Sequence, residues 1–452
     1  MMFRIHKIDH DGFSVLFFPD SLSIIKTDPK LAYFYIQVAK SADEEEFNHY
    51  LRSIAHLYPE ICKRSRQEYS ASQDFSREDI PSDFSTLILH VSNDCNMRCA
   101  YCFANHGVYQ SSPGMMSEET AIRAVSLYYS HFRHIHEIKF FGGEPLMNIS
   151  AIKAVCAYLF DKAERGEIEN LPRLKIITNG TIFNQEILDA VTRYGIQVVF
   201  SIDGPPEIHD SQRYFMKRRP SYGVITENLK KWKSSTQGKQ PCSIETTYSN
   251  AHRNAGWSIA RVVRFLYDEF DLKEGQVNVS MVNLSPTHPL SLKNIPEIWL
   301  EYAHDIVQNK KNDNRFDGDI KMMGYIYSLI NRKRTSSVIC SAGGRWAAVS
   351  AQGDIYPCLM FMDNLPFHMG NVHDTATFHG EKFQRISNMF QQCRPNESSP
   401  CLQCFANQVC RKCAGINHFL TGNIGVQDSG ICEAVRGTIE TLACGIADGI
   451  LK

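Results

Sequence analysis

Three cysteines stand close together in VSNDCNMRCAYCFANHG, the segment that covers residues 91–107. Cys95, Cys99 and Cys102 lie within eight positions, directly after the apolar run STLILHV. A closed zinc site needs four protein ligands, usually from paired CxxC motifs, and no fourth cysteine lies nearby. An iron–sulfur cluster accepts three thiolates from one tight loop and can leave its fourth iron open to an external chelating ligand. The spacing therefore favours a cluster with one open position.

A second group of cysteines occupies the C-terminal quarter of the chain. Its seven members are Cys340, Cys358, Cys401, Cys404, Cys410, Cys413 and Cys432. A strand, a Gly-Asp turn and a returning strand are predicted just before the second of them. Seven thiols at such spacing indicate metal binding in a reducing compartment. Zinc ribbons and iron–sulfur clusters both remain open at this point, because CxxC pairs serve zinc well.

Length and charge bound the kind of protein that carries these motifs. The chain has 452 residues, more than one core supports, so two or three domains are expected. A formal net charge of −1 creates no strong field toward nucleic acid or an anionic membrane. We find no signal-peptide pattern and no apolar run of transmembrane length. The expectation is a cytoplasmic protein without nucleic-acid or membrane partners.

Strand and helix patterns alternate around the first cysteine group, from residue 84 to about residue 300. The six strand-like runs are TLILHVS, EIKFFGG, LKIITNG, IQVVFSIDG, CSIETTYSN and VNVSMVNL. Alternation of this kind implies parallel βαβ units in an α/β protein. Six strands are too few for an eight-stranded barrel, so we predict an open, partial (β/α)6 TIM-like barrel. Functional residues of such barrels gather where strands end, and the cysteine loop, GGEP and SIDG all follow strands.

The motif CxxxCxΦC, in which Tyr101 is Φ, resembles the signature of the radical S-adenosylmethionine (SAM) enzymes, and FFGGEP resembles their second motif. The resemblance implies that Cys95, Cys99 and Cys102 bind a [4Fe–4S] cluster whose open iron holds SAM. An electron donor such as flavodoxin or ferredoxin would then drive cleavage of SAM to a 5′-deoxyadenosyl radical, which abstracts hydrogen from the substrate. The resemblance assigns no catalytic residue beyond the ligands of this cluster.

The same resemblance implies a set of SAM contacts. These cofactor-binding residues are Tyr101, Gly142, Gly143, Glu144, Ser201, Asp203 and Arg213. The glycines let the backbone approach a ligand closely, and the tyrosine is expected beside the adenine. Ser201 and Asp203 are expected to hold ribose hydroxyls, and Arg213 to pair with the SAM carboxylate. Two alternatives stay open: the serine and aspartate cap the strand end, or the arginine is solvated or faces the substrate.

The cysteine-rich tail resembles the SPASM domain, the C-terminal extension of radical SAM peptide maturases, which binds two auxiliary [4Fe–4S] clusters. By that resemblance the first auxiliary cluster has the ligands Cys340, Cys358 and Cys413. The second has the ligands Cys401, Cys404, Cys410 and Cys432. The chain departs from the family in its last pair, which is CxxC where CxxxC is usual. The first cluster is one thiolate short, so either Cys393 or a substrate cysteine would complete it.

The N-terminal residues 1–64 are predicted to form three strands followed by helices. This order resembles the RiPP recognition element, a winged-helix-like module that binds the leader of a ribosomally made precursor peptide. An exposed sheet edge beside a helix suits a leader added as an extra strand. A plain cap on the barrel is the alternative.

The chain is thus predicted to divide into five parts. They are a leader-binding module (1–64), a linker (65–83), a radical SAM partial barrel (84–300), a helical bridge (301–339) and a SPASM domain (340–452). The predicted function is a crosslink in a precursor peptide, a thioether between a cysteine sulfur and a carbon of another residue. A carbon–carbon crosslink is the alternative product, and a zinc-bearing peptide-interaction protein without turnover is the alternative class. Sulfatase maturases place an aspartate base at the position of Leu359, so sulfatase maturation is disfavoured.

Overall fold

The computed structural model describes residues 2–73, 83–273, 275–312, 321–332, 340–393, 399–410 and 413–451. Its N-terminal module comprises β1 (His6–His10), β2 (Phe13–Phe18), β3 (Ser23–Thr27), α1 (Pro29–Ala39), α2 (Glu44–Ile54) and α3 (Pro59–Gln73). The three strands form an antiparallel sheet with β2 at its centre. Asp11 and Gly12, between β1 and β2, both have positive φ, as a two-residue hairpin turn requires.

Helix α3 continues into the region predicted as a linker. It ends at Gln73, so residues 65–73 are helical, and Ser65 and Glu68 are buried. The polar composition of this helix hid it from the sequence argument. Residues 74–82 of the predicted linker lie outside the described residues.

The central part of the chain alternates strand and helix as predicted. Its strands are β4 (Phe84–Ser92), β5 (Ile135–Gly142), β6 (Arg173–Thr178), β7 (Gln197–Ser201), β8 (Ser243–Tyr248) and β9 (Val277–Met281). Its helices are α4 (Glu118–Tyr129), α5 (Ile149–Glu164), α6 (Gln185–Tyr194), α7 (Pro206–Gln212), α8 (Tyr222–Ser235), α9 (Asn250–Asn254) and α10 (Ile259–Phe270). All six strands pair in parallel and in chain order. This confirms the α/β class and the partial barrel.

Alternating side chains of β4 show how the sheet is buried on both faces. Leu87, Leu89 and Val91 belong to the large core that also contains the apolar side chains of α4 and α5. Ile88 and His90 face the other way and are also fully buried. Strands covered on both faces are typical of parallel sheets. Because the strands run parallel, the carboxyl ends of β4 to β7 meet at one edge of the sheet, where the cysteine loop begins.

The C-terminal part adds helices and a second set of strands. Its elements are α11 (Ile295–Asn312), α12 (Lys321–Arg332), β10 (Trp346–Val349), β11 (Asp354–Tyr356), β12 (Gly370–Asn371), α13 (Glu381–Gln391), α14 (Ser399–Leu402), α15 (Ala414–Thr421) and α16 (Ser429–Ala447). The predicted strand, Gly-Asp turn and returning strand are present as β10 and β11. Unexpectedly, β10 pairs in parallel with β4 and extends the barrel sheet to nine strands. The remainder of the predicted bridge, residues 313–320 and 333–339, lies outside the described residues.

The N-terminal module contacts the cysteine-rich tail directly. The imidazole of His6 on β1 stacks on Phe405, with 3.6 Å between the ring centroids, and lies 2.8 Å from a carboxylate oxygen of Glu440 on α16. Phe405 directly follows Cys404, a predicted ligand of the second auxiliary cluster. In the described part of the chain, no helix has the length and apolar character needed to span a membrane.

Candidate iron–sulfur and SAM site

The cysteine loop follows β4 at the carboxyl edge of the sheet. The sulfur of Cys95 accepts a hydrogen bond from the backbone N–H of Met97 at 3.4 Å, and the sulfur of Cys102 accepts one from that of His106 at 3.3 Å. Backbone donors aimed at sulfur favour the thiolate form and the sulfurs of a cluster. The loop therefore places backbone donors at two of its three sulfurs, where they would stabilise the thiolates of a bound cluster.

The loop after β6 holds the cysteine loop from the side. The Asn179 amide nitrogen donates to the Asn96 side-chain oxygen at 2.8 Å and lies 3.8 Å from the Cys95 sulfur. Asn96 in turn donates to the Thr181 hydroxyl at 2.8 Å. Asn179 opens the NG pair at the end of the third barrel strand, so that strand end supports the first predicted ligand.

The predicted glycine pair contacts the cysteine loop itself. A Cβ on Gly142 would lie 2.1 Å from the backbone oxygen of Ser92, and one on Gly143 would lie 2.0 Å from that of Asp94. The Gly143 N–H donates to the Ser92 oxygen at 2.8 Å. No side chain fits between the two segments. Seating the loop is thus one demonstrated reason for these glycines, and contact with SAM stays a prediction.

Replacing Gly143 with alanine is expected to lower the melting temperature and to reduce iron retention by the reconstituted protein. The added methyl group must displace the backbone of the cysteine loop, and such overpacking costs about 1–3 kcal/mol or more. Thermal denaturation and iron analysis measure the two effects. Gly223→Ala is the matched control, because a Cβ there meets nothing within 4 Å. Equal behaviour of the two variants would contradict the close packing of the loop.

Glu144 is fully buried and ties two strand ends together. One carboxylate oxygen accepts from the Leu146 N–H at 3.0 Å and the Thr178 hydroxyl at 2.7 Å, and the other accepts from the Asn179 N–H at 2.7 Å. Burial raises the pKa of this carboxyl, and the three hydrogen bonds oppose that rise. Its predicted role as a SAM contact is untested.

Tyr101, Asp203 and Arg213 form a buried hydrogen-bonded triad. The Tyr101 hydroxyl donates to Asp203 at 2.6 Å and accepts from the Arg213 guanidinium at 2.7 Å. Asp203 also accepts from the Gln212 amide at 2.9 Å and from the Thr247 N–H at 3.0 Å. The aspartate therefore binds protein groups through both oxygens, and the proposed ribose and adenine contacts remain predictions.

Arg213 carries the clearest mark of a missing partner. The residue is 7 % exposed, so the solvated alternative is wrong, and its buried Nε has no hydrogen-bond partner among the described residues. Burial acts to lower the pKa of Arg213, but Tyr101, Cys99 and Asp203 raise it well above its usual value. Burial raises the pKa of Cys99 to about 11, and the nearby guanidinium opposes this. A buried cation with an orphaned donor beside Cys99 fits an anionic group such as the SAM carboxylate.

Ser201 ends the fourth barrel strand at the same edge of the sheet. It is half-buried and pairs in register with Glu245 of β8. Its predicted contact with ribose is likewise untested.

The chain segments that carry three of the tail cysteines pack against one another: the Gly343 N–H donates to the Pro357 oxygen at 3.1 Å, and a Cβ on Gly415 would lie 2.5 Å from the Cβ of Met360. Cys358 follows β11 and is buried, which raises the pKa of its thiol, and Cys340 and Cys413 lie close enough to raise it further. These are the cysteines that the SPASM resemblance assigns to the first auxiliary cluster. The grouping fits that assignment, whereas ligation itself is still a prediction.

Of the other predicted ligands in the tail, Cys401 lies on α14, Cys404 and Cys410 lie on the loop that follows it, and Cys432 lies on the first turn of α16. The Cys404 N–H donates to the Cys401 oxygen at 3.1 Å, and the Cys410 sulfur lies 3.9 Å from the Gln427 side chain. The Cys432 N–H donates to the oxygen of Asp428, the N-cap of α16. Binding of the second auxiliary cluster by these residues stays a prediction.

Cys393 lies beside a different segment. A Cβ on Gly425 would lie 3.3 Å from its sulfur. In the described residues, no three His, Cys, Asp or Glu side chains meet as closely as ligands of one metal ion do. That finding concerns single-ion sites. The thiolates of a four-iron cluster each bind a different iron and lie farther apart.

His90 is a candidate functional residue that the sequence argument missed. It is fully buried on the inner face of β4, and neither ring nitrogen has a hydrogen-bond partner in the described structure. Its ring centroid lies 5.1 Å from that of Tyr109 and 5.5 Å from that of Phe141. Burial lowers the pKa of His90 to about 3, so the ring is neutral. The only signal in the sequence is one histidine within an apolar strand.

Two parts of the chain match known domain families. Residues 89–248 match the radical SAM superfamily, and residues 340–414 match SPASM, the iron–sulfur cluster-binding domain. The fold and the cysteine loop within the first of these ranges thus define a radical SAM domain. More particularly, this chain contains a radical SAM domain followed by a SPASM domain.

Curated relatives match different shares of the chain. The radical SAM cyclopropyl synthase TigE of Paramaledivibacter caminithermalis is 24 % identical, over 81 % of this chain and 75 % of that enzyme. A cysteine-type anaerobic sulfatase-maturating enzyme of Clostridium novyi is 23 % identical, over 79 % of this chain and 94 % of that enzyme. An uncharacterized protein of Methanocaldococcus jannaschii is 35 % identical over 135 residues, and the match spans only 44 % of that protein.

Solved structures share the fold. The protein anSMEcpe with bound AdoMet superposes with a TM-score of 0.63 at 19 % identity, over 81 % of this chain and 96 % of that one. Streptococcus suis SuiB bound to the precursor peptide SuiA superposes with a TM-score of 0.53 at 14 % identity, over 94 % of this chain and 98 % of that one. These likenesses show the fold alone.

Proposed function

We propose that this protein is a radical SAM maturase that installs a thioether crosslink in a ribosomally made precursor peptide. The observation that carries the proposal is that the segments of Cys340 and Cys413 pack against the segment of Cys358: the Gly343 N–H donates to the Pro357 oxygen at 3.1 Å, and a Cβ on Gly415 would lie 2.5 Å from the Cβ of Met360. The SPASM resemblance makes these three thiols a ligand group one thiolate short of a closed cluster. A substrate cysteine as the fourth ligand would hold the sulfur that forms the new bond. A carbon–carbon crosslink is the second candidate product.

The chain offers a fitting site for SAM and its cluster. Cys95, Cys99 and Cys102 would hold the cluster, and the orphaned donor of Arg213 would hold the SAM carboxylate. When bound, SAM and its cluster would supply a 5′-deoxyadenosyl radical, which removes a hydrogen atom from the substrate. The auxiliary clusters would supply an acceptor for the leftover electron. The chain's own groups position these partners, while the buried walls of the barrel exclude water.

A peptide substrate is supported by the relatives and by the N-terminal module. The crystal structure of SuiB contains the precursor peptide SuiA, and the relative TigE is named a radical SAM cyclopropyl synthase. Strand β3 lies at one edge of the N-terminal sheet, and a leader peptide would add there as a further strand. The module's contact with Phe405 would link leader binding to the tail.

Sulfatase maturation is less favoured. Leu359 stands where sulfatase maturases carry an aspartate base, and its partly buried side chain packs against the apolar cluster that contains Ile88 and Tyr109. A leucine cannot accept the proton that oxidation of a cysteine or serine to formylglycine releases. Iron and sulfide analysis distinguishes the proposed enzyme from a zinc-bearing scaffold, because three four-iron clusters give roughly twelve irons per chain.

Cys358→Ala tests the role of the first auxiliary group. We expect the variant to form 5′-deoxyadenosine with dithionite and SAM but to yield no crosslinked peptide, because its SAM site is intact. Liquid chromatography of the nucleoside and mass spectrometry of a co-expressed precursor peptide, with and without its leader, give the two readouts. Crosslinking by the variant at the normal rate would refute the proposal.

A further inference from the structure

The segment 214–220, which we call the basic hairpin, lies directly on the cysteine loop. The Arg98 N–H donates to the backbone oxygen of Tyr214 at 2.7 Å, and Met97 is bridged to Phe215 in an antiparallel pair. These loop residues stand between the first and second cysteines of the proposed cluster site. The hairpin backbone is thus hydrogen-bonded to the cluster loop itself.

The base of the basic hairpin is firmly held. One carboxylate oxygen of Asp210 accepts from the N–H groups of Ser221 and Tyr222 at 2.8 and 2.9 Å. The Ser221 hydroxyl donates to the backbone oxygen of Arg213 at 2.9 Å. These bonds fix both ends of the hairpin, so its tip is presented to solvent in one position.

The tip is positively charged, and two of its cations contact aromatic rings: Arg218 lies 5.3 Å from the Tyr214 ring centroid and Arg219 lies 4.8 Å from that of Phe215. Lys217, Arg218 and Arg219 are exposed, and Met216 is 62 % exposed. None of the three cations makes an ion pair with any carboxylate in the described part of the chain. Arg98 beside them adds a fourth positive charge and donates to backbone oxygens of its own loop. A patch of unneutralised cations therefore covers the outside of the cluster loop, although the chain as a whole has a net charge of only −1.

We propose that the basic hairpin is the docking surface for a small acidic one-electron carrier protein of the flavodoxin or ferredoxin kind. The proposal rests on the proposed function, which requires one electron per SAM cleaved. That electron passes from the reduced carrier, which is oxidised by one electron, to the cluster held by the cysteine loop. Unpaired cations attract and orient an acidic partner, and the hairpin's bonds to the loop give a short connected route inward.

An acidic substrate peptide fits this surface less well. The hairpin offers one exposed apolar side chain, Met216, beside the half-buried rings of Tyr214 and Phe215. Peptide sites combine backbone pairing or apolar pockets with charge, whereas transient redox encounters use small, charged and weakly apolar patches. The observations therefore favour the redox partner.

The test compares two double charge reversals in the anaerobically reconstituted full chain. Lys217→Glu/Arg218→Glu changes the hairpin, and Lys230→Glu/Lys239→Glu changes two exposed lysines elsewhere. Calorimetry with a purified bacterial flavodoxin at low ionic strength should give a dissociation constant about tenfold higher for the hairpin variant alone. The difference should shrink in high salt, because salt screens exposed charges.

A second readout separates this inference from the proposed function. The hairpin variant should form 5′-deoxyadenosine at the normal rate with dithionite and more slowly with reduced flavodoxin. Equal flavodoxin affinity in both variants would overturn the docking surface, as would a loss of precursor-peptide binding with flavodoxin binding unchanged. Absence of 5′-deoxyadenosine from the unaltered protein with dithionite would instead overturn the proposed function.

Discussion

Cys95→Ala is expected to abolish formation of 5′-deoxyadenosine and to lower the iron content by about four atoms per chain. The Cys95 sulfur accepts from the Met97 N–H and lies beside the Asn179 amide, so it is the most fully supported of the three loop sulfurs. Burial, followed by the nearby Glu144, raises the pKa of Cys95 to about 12. Iron must therefore displace a firmly held proton, and cluster loading should improve as the pH rises from 7 toward 9.

Cys156→Ala is the matched control for this substitution. Cys156 is fully buried in α5 and takes no part in the proposed site. The control variant should keep its iron and its SAM cleavage. Nucleoside formation by Cys95→Ala at the control's rate would show that the loop does not hold the cluster that binds SAM.

Arg213→Gln is expected to weaken SAM binding by at least about tenfold. Hydrogen bonds to charged groups contribute about 1.5–3 kcal/mol, and the orphaned Nε is the donor that fits the SAM carboxylate. The substitution also removes the cation bonded to Tyr101, so the melting temperature should fall. Equilibrium dialysis with SAM on the cluster-loaded protein measures the first effect, and thermal denaturation measures the second.

Arg213→Lys separates charge from geometry. Lysine keeps the positive charge but has no planar fork, so it cannot bind Tyr101 and a carboxylate in the same manner. Intermediate SAM affinity is expected. If both variants bind SAM as tightly as the unaltered protein while stability falls, Arg213 has only a structural role in the triad.

The sequence predicted those parts of the fold that local patterns encode. Six apolar runs separated by helices specify a parallel partial barrel. The pairing of β10 with β4 was not predictable, since it joins residues about 260 positions apart without a local signal. Helix α3 was missed because Ser65 and Glu68 are polar yet buried.

Part of the candidate site was likewise predictable from the sequence, and part was not. The spacing of Cys95, Cys99 and Cys102 on one loop placed the predicted ligands together. The triad that joins Tyr101 to Asp203 and Arg213 depends on three separate loops, and only the folded chain shows that these side chains bind one another. Interpreting each residue alone assigned it directly to SAM, whereas the structure shows protein partners first.

The central claim is that this radical SAM protein crosslinks a peptide, and one mass measurement tests it most directly. A small peptide encoded beside this protein's gene would be co-expressed with the unaltered protein and, separately, with Cys95→Ala. The account predicts that only the unaltered protein yields a peptide lighter by one hydrogen from each joined atom, with its cysteine thiol blocked to alkylation. Peptide of unchanged mass in both samples, from a protein that cleaves SAM, would contradict it.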